Sequence, residues 1–248
     1  MIATKGILVA GGNMLAKELF HSIQTHRSDQ VSFNDFSVIS NIDAVFETEN
    51  LDLEQKKKNL QEIESNVTPS TLILTTTLGV TATEAASWLS YPERVVGFGT
   101  FTGFTEGKLI EVAPSLQADP HYLKKAKEAF LTIGQEIEIV DDEVGLIFPR
   151  ILSMIINEAA FAMIEGTASV EDIDEAMKKG TNYPLGPLEW AEKIGLEDVY
   201  SVLKGLYRQF GEERYRPAPL IRKLIHAGWV GGEKEKGFYH YQKSKERE

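Results

Sequence analysis

The feature that most constrains the fold is an alternation of strand-like and helix-like segments through residues 1–140. Short apolar runs predict seven strands, at Gly6–Ala10, Val31–Asn34, Ile42–Phe46, Thr71–Thr75, Arg94–Phe98, Lys108–Val112 and Ile137–Val140. Amphipathic segments predict the intervening helices, at Asn13–Ile23, Leu53–Ser65, Thr83–Leu89 and Pro120–Gly134. This alternation is typical of an α/β domain, in which helices cover both faces of a mostly parallel sheet.

The pattern changes after Asp141-Asp142-Glu143, where the spacing of apolar residues becomes helical. It predicts helices at Leu146–Ile164, Val170–Lys179, Leu188–Ile194, Leu196–Phe210 and Pro219–His226, and one last strand at Gly237–Tyr241. We therefore predict an α/β domain over residues 1–142, an all-α domain over residues 143–241 and a disordered charged tail over residues 242–248.

Composition excludes several classes of function. A chain of 248 residues is long enough for two packed units. The formal net charge of −11 argues against nonspecific binding to nucleic acid or to anionic membranes, since both need a basic surface. No cysteine is present, which rules out disulfides, thiolate catalysis and cysteine-ligated metals. We expect no metal site, and the lack of an apolar span or signal-peptide pattern predicts a cytoplasmic protein with no membrane partner.

Several motifs of the helical half occur in one order: Glu165–Met177, Tyr183–Leu188, Tyr215–Pro217 and Lys236–Tyr239. Together they resemble the C-terminal domain of the NAD-dependent 3-hydroxyacyl-CoA dehydrogenases. Arg94–Val112 resembles a signature segment of that family's nucleotide domain. The resemblance implies a Rossmann-like N-terminal domain, an oxidoreductase of fatty acid metabolism and a homodimer formed through the helical domain. It also implies a small-molecule ligand in the interdomain cleft.

The glycine loop after the first strand departs from the family pattern. A dinucleotide-binding loop follows Gly-x-Gly-x-x-Gly, and the matching residues are Ala10, Gly12 and Leu15, so only the middle glycine is kept. Leu15 places bulk where the helix and strand should touch closely. The resemblance assigns cofactor binding to Ala10, Gly11, Gly12, Asn13 and Met14, and the ribose hydroxyls to Asp35. Retained NAD binding and weak or lost binding both remain open.

The family carries a basic helical hairpin after the second strand, and this hairpin meets coenzyme A. Only Phe36–Asn41 separates Asp35 from the third predicted strand, which is too short for such an arm and predicts a shortened α/β domain. Lys56-Lys57-Lys58 is an alternative basic surface, although a lysine run of this kind is more typical of a solvated helix face.

The catalytic residues of the family are mostly replaced. Its histidine base matches Gly99, and the glutamate that orients that base is retained as Glu111. The residues that match the family's oxygen-binding serine and two asparagines are Leu78, Thr102 and Pro149. Loss of a general base alone typically lowers the rate about a hundredfold to ten-thousandfold. Glu111 could act as a base if burial raised its pKa. We favour the alternative, that Glu111 is a relic of the family's catalytic site and no longer takes part in catalysis.

Three functions follow from this reading. The first, which we favour, is a dimeric pseudoenzyme that keeps the fold to bind a ligand or partner and binds NAD weakly or not at all. The second is a divergent NAD-dependent dehydrogenase acting on a 3-hydroxyacyl or small hydroxy-acid substrate. Its cleft would use the hydroxyls of Thr75, Thr76, Thr77, Thr100 and Thr102. The third is the family reaction itself, and it ranks lowest because so many polar groups are replaced.

Overall fold

The computed structural model describes residues 6–26, 31–37, 41–104 and 109–245. The chain divides into two compact units, Met1–Ile147 and Phe148–Glu248. The strands of the first unit are β1 (Gly6–Ala10), β2 (Val31–Phe33), β3 (Ile42–Glu47), β4 (Leu72–Thr76), β5 (Val95–Gly99), β6 (Leu109–Pro114) and β7 (Glu136–Ile139). Its helices are α1 (Met14–His26), α2 (Leu53–Asn66), α3 (Ala82–Ala86) and α4 (Pro120–Leu131). This element order confirms the predicted α/β class.

The seven strands form one sheet in the order β2-β1-β3-β4-β5-β6-β7. Strands β1 to β5 are parallel, β6 pairs antiparallel with β5, and β7 runs parallel to β6. The carboxyl ends of β1 to β5 therefore share one edge. In such sheets, ligands bind in the crevice outside that edge, where the strand order reverses, which here is beside β1.

Side chains alternate along each strand, so each face of the sheet carries its own core. One face packs Ile7 and Val9 against α1 and α4, and its centre is a trio of edge-to-face rings from Phe46, Phe98 and Phe130. The opposite face packs Leu8 and Ala10 against α2 and α3. Leu15 is fully buried in the first of these cores.

The second unit is all-helical within the residues that the structure describes. Its helices are α5 (Phe148–Ile164), α6 (Val170–Thr181), α7 (Pro187–Ile194), α8 (Leu196–Phe210), α9 (Pro219–His226) and α10 (Phe238–Lys245). Among the described residues, short 3-10 turns lie at Pro92–Arg94 in the first unit and at Glu213–Tyr215 and Gly232–Lys234 in the second. Over the described ranges of both units, no helix has the length and apolar character to cross a bilayer.

The carboxyl-terminal segment differs from its prediction. The predicted strand at Gly237–Tyr241 is wrong, and so is the predicted disorder of residues 242–245, because residues 238–245 form α10. The side chain of Gln242 accepts the N–H of Val170 (2.7 Å) and donates to the Glu171 carboxylate (2.8 Å). These bonds attach α10 to the start of α6. The predicted disorder of residues 246–248 lies outside the described residues.

The first unit continues past the predicted boundary at residue 142. The N–H of Gly145 donates to the carbonyl of Thr77 at the end of β4 (2.7 Å), and the N–H of Ile147 donates to the Glu111 carboxylate (2.8 Å). These two bonds hold residues 143–147 against the sheet edge, so this segment packs with the first unit.

Candidate functional site

The glycine loop lies at the carboxyl end of β1 and approaches the end of β3 closely. Gly11 has a φ of +150°, and a Cβ there would overlap the hydroxyl of Thr48. Glycine at position 11 is therefore required by the close approach of the two segments. Gly12 has no such neighbour, because no atom lies within 4 Å of the place where its Cβ would be.

The side chain of Asn34 forms hydrogen bonds with the backbone of this loop. Its Oδ1 accepts the N–H of Gly11 (2.9 Å), and its Nδ2 donates to the carbonyl of Gly11 (2.8 Å). Asn34 reaches this position with a φ of +53°, a left-handed conformation that asparagine tolerates better than most residues. Both backbone groups of Gly11 are therefore already bonded within the protein.

Asn13 caps the helix that follows the loop. Its Oδ1 accepts the N–H of Ala16 (2.9 Å), and its Nδ2 donates to the carbonyl of Thr48 (2.7 Å). The Thr48 hydroxyl donates to the same Oδ1 (3.0 Å). Met14 begins α1 immediately after this cap. The side chain of Asn13 thus ties the start of α1 to the residue that follows β3.

Asp35, the residue predicted to bind ribose, bonds to its own turn. Its carboxylate accepts the hydroxyl (2.6 Å) and the N–H (2.8 Å) of Ser37, and these hydrogen bonds lower the pKa of Asp35 below its ordinary value. The side chain is ionised at neutral pH and fully exposed.

A cleft lies beside the loop, at the carboxyl ends of β1, β2 and β3. Its lining is formed by Ala10, Gly11, Gly12, Asn34, Phe36, Glu49, Gln55, Asn59, Glu62 and Ile63. The charged side chains among these are two carboxylates and no cation. The charged side chains of this lining are therefore all acidic.

A buried ion pair lies at the ends of β3 and β4. The Nζ of Lys56 contacts the Glu47 carboxylate (2.6 Å), the carbonyl of Glu49 (2.8 Å) and the hydroxyl of Thr76 (3.2 Å). Lys56 and Glu47 are fully buried. The prediction of a solvated lysine face is wrong for Lys56, because this amine points into the edge of the sheet.

The matched catalytic position lies at the end of β5, where Gly99 pairs across the antiparallel ladder with Glu111 of β6. A Cβ at residue 99 would approach the Cδ1 of Leu146 to 2.8 Å. Leu146 is buried and has a φ of +48°, a left-handed conformation that is unusual for leucine. The Glu111 carboxylate accepts the N–H of Ile147 (2.8 Å). Leu146 therefore fills the space that a larger residue 99 would need.

The other matched positions lie on different elements. Leu78 is fully buried after β4, and the hydroxyl of Thr102 is buried without a hydrogen-bond partner among the described residues. Pro149 is buried near the start of α5 in the second unit. Its neighbour Arg150 donates to the hydroxyl of Tyr215 within that unit (2.6 Å).

The threonines of the proposed hydroxyl-rich cleft point into the protein. The hydroxyls of Thr75 and Thr76 donate to Glu47 (2.7 Å) and Asn50 (2.6 Å). Those of Thr77 and Thr100 donate to backbone carbonyls. These four residues are buried, so their hydroxyls serve internal bonds.

Three of the four motifs of the helical half meet at one buried carboxylate, that of Asp174. Asp174 accepts the N–H groups of Leu188 and Glu189 at the start of α7 (both 2.8 Å) and the hydroxyl of Tyr239 (2.6 Å). A Cβ at Gly186 would overlap Asp174, which explains the glycine there. Burial, followed by the bond to Asp174, raises the pKa of the Tyr239 hydroxyl. These motif residues hold α6, α7 and α10 together.

Sequence reasoning missed three residues that decide the chemistry of this edge. Asn34 and Leu146 are paired with residues far along the chain, and their local sequences contain no signal for those contacts. Asp142, whose carboxylate accepts the N–H groups of Ala82 and Thr83 (both 2.7 Å), was read only as part of a boundary. Across the described ranges, no group of three or more metal-ligating side chains is assembled.

The sequence is similar to that of known proteins along nearly its whole length. The model of the 3-hydroxyacyl-CoA dehydrogenase NAD binding domain matches residues 13–143, and that of the C-terminal domain matches residues 145–241. The 3-hydroxybutyryl-CoA dehydrogenase of Bradyrhizobium diazoefficiens is 30% identical over 97% of this chain and 84% of the relative. The 3-hydroxybutyryl-CoA dehydrogenase of Clostridioides difficile is 32% identical over 89% of this chain and 78% of its own length.

Solved structures have the same fold. FadB2 of Mycobacterium tuberculosis superposes with a TM-score of 0.83 at 21% identity, covering 96% of this chain and 99% of the other. The (S)-3-hydroxybutyryl-CoA dehydrogenase PaaH1 of Ralstonia eutropha superposes with a TM-score of 0.75 at 25% identity, covering 94% and 98%. With both domain models matched in order along nearly the whole chain, this protein belongs to the 3-hydroxyacyl-CoA dehydrogenase family.

Proposed function

We propose that this chain is a family member that does not catalyse the oxidation of 3-hydroxyacyl-CoA thioesters and is kept as a dimeric ligand- or partner-binding protein. The observation that carries the proposal is the contact at Gly99. Position 99 matches the family's base, it has no side chain, and Leu146 fills the adjoining space. Neither glycine nor leucine can accept a proton from an alcohol.

The retained Glu111 does not replace the missing base. Its carboxylate accepts the N–H of Ile147 and so fastens the segment that carries Leu146. We infer that Glu111 now has a structural role, in keeping with the relic interpretation.

Binding of NAD is expected to be weak or lost. The support is the geometry of the loop, in which Asn34 bonds the backbone of Gly11 and the adjoining cleft carries the carboxylates of Glu49 and Glu62. Calorimetric titration of the purified chain with NAD tests this. A dissociation constant tighter than about 10 μM would overturn it.

We propose that the homodimer forms through α5. The exposed side of this helix packs against a second copy of the chain. Phe148 and Ile151, which lie one turn apart at the start of this helix and so on the same side of it, are both exposed. Exposed apolar side chains repeated along one helix are typical of an interface. The ligand predicted in the interdomain cleft stays a prediction.

The test of lost catalysis is an assay of 3-hydroxybutyryl-CoA oxidation with NAD and with NADP. The 3-hydroxybutyryl-CoA dehydrogenase of Bradyrhizobium diazoefficiens, measured in parallel, is the positive control. We expect no turnover above background from this chain. The variants Gly99→His and Gly99→His/Leu146→Ala should stay inactive, because Leu78, Thr102 and Pro149 still replace the oxygen-binding groups. An ordinary enzymatic rate from the unmodified chain would overturn the proposal.

A divergent dehydrogenase acting on a small hydroxy acid is not favoured. That function needs hydroxyl groups directed at a ligand, whereas those of Thr75, Thr76 and Thr77 are bonded within the protein. Turnover of a small hydroxy acid in the same assay would revive it.

A further inference from the structure

The last part of the second unit is basic, although the chain as a whole is acidic. Residues 219–245 carry six Lys and Arg side chains against two Glu, whereas the whole chain has a formal net charge of −11. All six cationic residues are exposed, and we call them the basic surface: Arg222, Lys223, Lys234, Lys236, Lys243 and Lys245. They belong to α9, to α10 and to the segment that joins these helices.

Two lysines of the basic surface share one aromatic ring. The Nζ of Lys223 on α9 and the Nζ of Lys245 on α10 each lie 5.1 Å from the centre of the Tyr241 ring. The face of an aromatic ring attracts an ammonium group, so Tyr241 keeps the two positive charges close to each other. Neither lysine forms an ion pair with any residue that the structure describes.

A second aromatic contact lies beside the first. The Nζ of Lys236 is 6.0 Å from the centre of the Trp229 ring, and that ring packs edge-to-face against His240 at 4.7 Å. His240 directly precedes Tyr241 in α10. Ammonium groups are therefore held next to aromatic rings at two neighbouring places. Like charges gathered in this way repel each other, and an anion that contacts more than one of them relieves the repulsion.

The composition of the basic surface favours carboxylates over phosphates as the anion. Five of its six cationic residues are lysines, whereas recognition of phosphate and nucleic acid more often uses the planar fork of arginine. An extended polyanion such as nucleic acid or a membrane would also face the acidic remainder of the chain, which repels it. A short acidic segment can contact the basic surface alone.

We propose that the basic surface of α9 and α10 binds an acidic segment of a partner protein, one rich in Asp and Glu. The inference rests on the proposed role of the chain as a noncatalytic binding protein and names the partner class of that role. Carboxylates of the partner contact the ammonium groups of Lys223 and Lys245, which Tyr241 holds in place.

The test uses a short, fluorescently labelled oligoglutamate peptide, titrated with the purified full chain and followed by fluorescence anisotropy. We expect the peptide to bind at low salt and to bind more weakly as salt is added, since salt screens exposed charges. An oligoglutamine peptide of the same length should not bind. Single-stranded DNA and vesicles of anionic phospholipid, measured in the same buffer, should bind more weakly than the oligoglutamate peptide.

Lys223→Gln/Lys245→Gln removes the two charges beside Tyr241 and should weaken binding of the oligoglutamate peptide roughly tenfold at low salt. The matched control is Lys124→Gln/Lys127→Gln on α4. It removes two lysines that are also exposed and also lack an ion pair among the described residues, so the net charge changes equally. The control should change the affinity less than twofold.

Three results would overturn the inference: no binding of the oligoglutamate peptide at millimolar concentration, an equal loss of affinity in the two double variants, or tighter binding of the DNA or the vesicles. The proposed loss of catalysis fails separately, through turnover of 3-hydroxybutyryl-CoA. An inactive chain that does not bind the peptide overturns only the partner class.

Discussion

Gly99 and Leu146 are complementary: a Cβ at residue 99 would lie 2.8 Å from the Cδ1 of Leu146, closer than real side chains approach. Both residues are buried. The leucine is held on either side, because the N–H of Gly145 bonds to Thr77 and the N–H of Ile147 bonds to Glu111. The pair therefore behaves as one packing unit at the end of β5.

Gly99→Ala should lower the free energy of unfolding by about 1–3 kcal/mol, since the added methyl group overpacks the site. In the Leu146→Ala background the same change should cost less, with a coupling of about 0.5–3 kcal/mol in a double-mutant cycle measured by urea denaturation. Gly12→Ala is the control, because no atom lies within 4 Å of its Cβ position. Equal effects of Gly99→Ala and Gly12→Ala would contradict this packing argument.

Asp174→Ala should destabilise the second unit by about 2–4 kcal/mol, because two N–H groups of α7 and the Tyr239 hydroxyl lose their acceptor. Tyr239→Phe removes one of these bonds and should cost about 1 kcal/mol. In a Trp88→Phe background, the fluorescence of Trp190 and Trp229 follows the second unit alone. A cost for Asp174→Ala no larger than that for Tyr239→Phe would refute the central role of Asp174.

Glu64 gives a prediction for pH. Burial raises the pKa of its carboxyl, but the N–H groups of Ser90 and Tyr91 and the buried Arg94 outweigh that effect and lower it overall. A depressed native pKa stabilises the fold above the unfolded pKa, and this stability is lost as pH falls through the native value. Glu64→Gln should therefore cost about 1–2 kcal/mol at neutral pH.

The cost of Glu64→Gln should shrink as the pH is lowered through the acid range. Denaturation of the first unit, followed by Trp88 fluorescence in chains with Trp190 and Trp229 replaced by phenylalanine, measures it. If the loss of unfolding free energy caused by Glu64→Gln is the same at neutral and acid pH, the charge of Glu64 does not stabilise its contacts with Ser90, Tyr91 and Arg94.

Ile151→Glu should dissociate the proposed dimer, because it places a charge on the outer face of α5, where the side chain of Ile151 is 55% exposed. Leu131→Glu is the control, since Leu131 on α4 is 52% exposed in the first unit. Sedimentation at micromolar concentration should give a dimer for the unmodified chain and for Leu131→Glu, and a monomer for Ile151→Glu. If the unmodified chain sediments as a monomer, the proposed dimer is wrong.

Most of the fold could be predicted from the sequence because periodicity records which side of each element is buried. Strand β1 and helix α4, for example, begin close to where glycine and the Asp119-Pro120 pair predict. The last element was wrongly predicted because a run of aromatic residues such as Phe238–Tyr241 is typical of a strand. The helix there depends on hydrogen bonds between Gln242 and α6, and these two segments are far apart in the sequence.

The site was harder to predict than the fold. Matching residues to the family identified Gly99 and Glu111 as positions of interest, but not what surrounds them. Leu146 and Asn34 act through contacts made only when distant segments meet. Lys56 was misjudged for the same reason: a lysine run predicts exposure, and only the fold brings Glu47 to within 2.6 Å of this amine.

The contact between Leu146 and Gly99 also limits how a histidine could arise at position 99 during evolution. A histidine arising at position 99 would meet Leu146 before it could meet any substrate, so its first effect would be a loss of stability. Selection would remove such a variant unless a smaller residue had already replaced Leu146, a change that on its own leaves a cavity. A histidine at this position therefore needs two substitutions, one at residue 99 and one at residue 146. Each is unfavourable alone, so either order of mutation passes through a less stable protein.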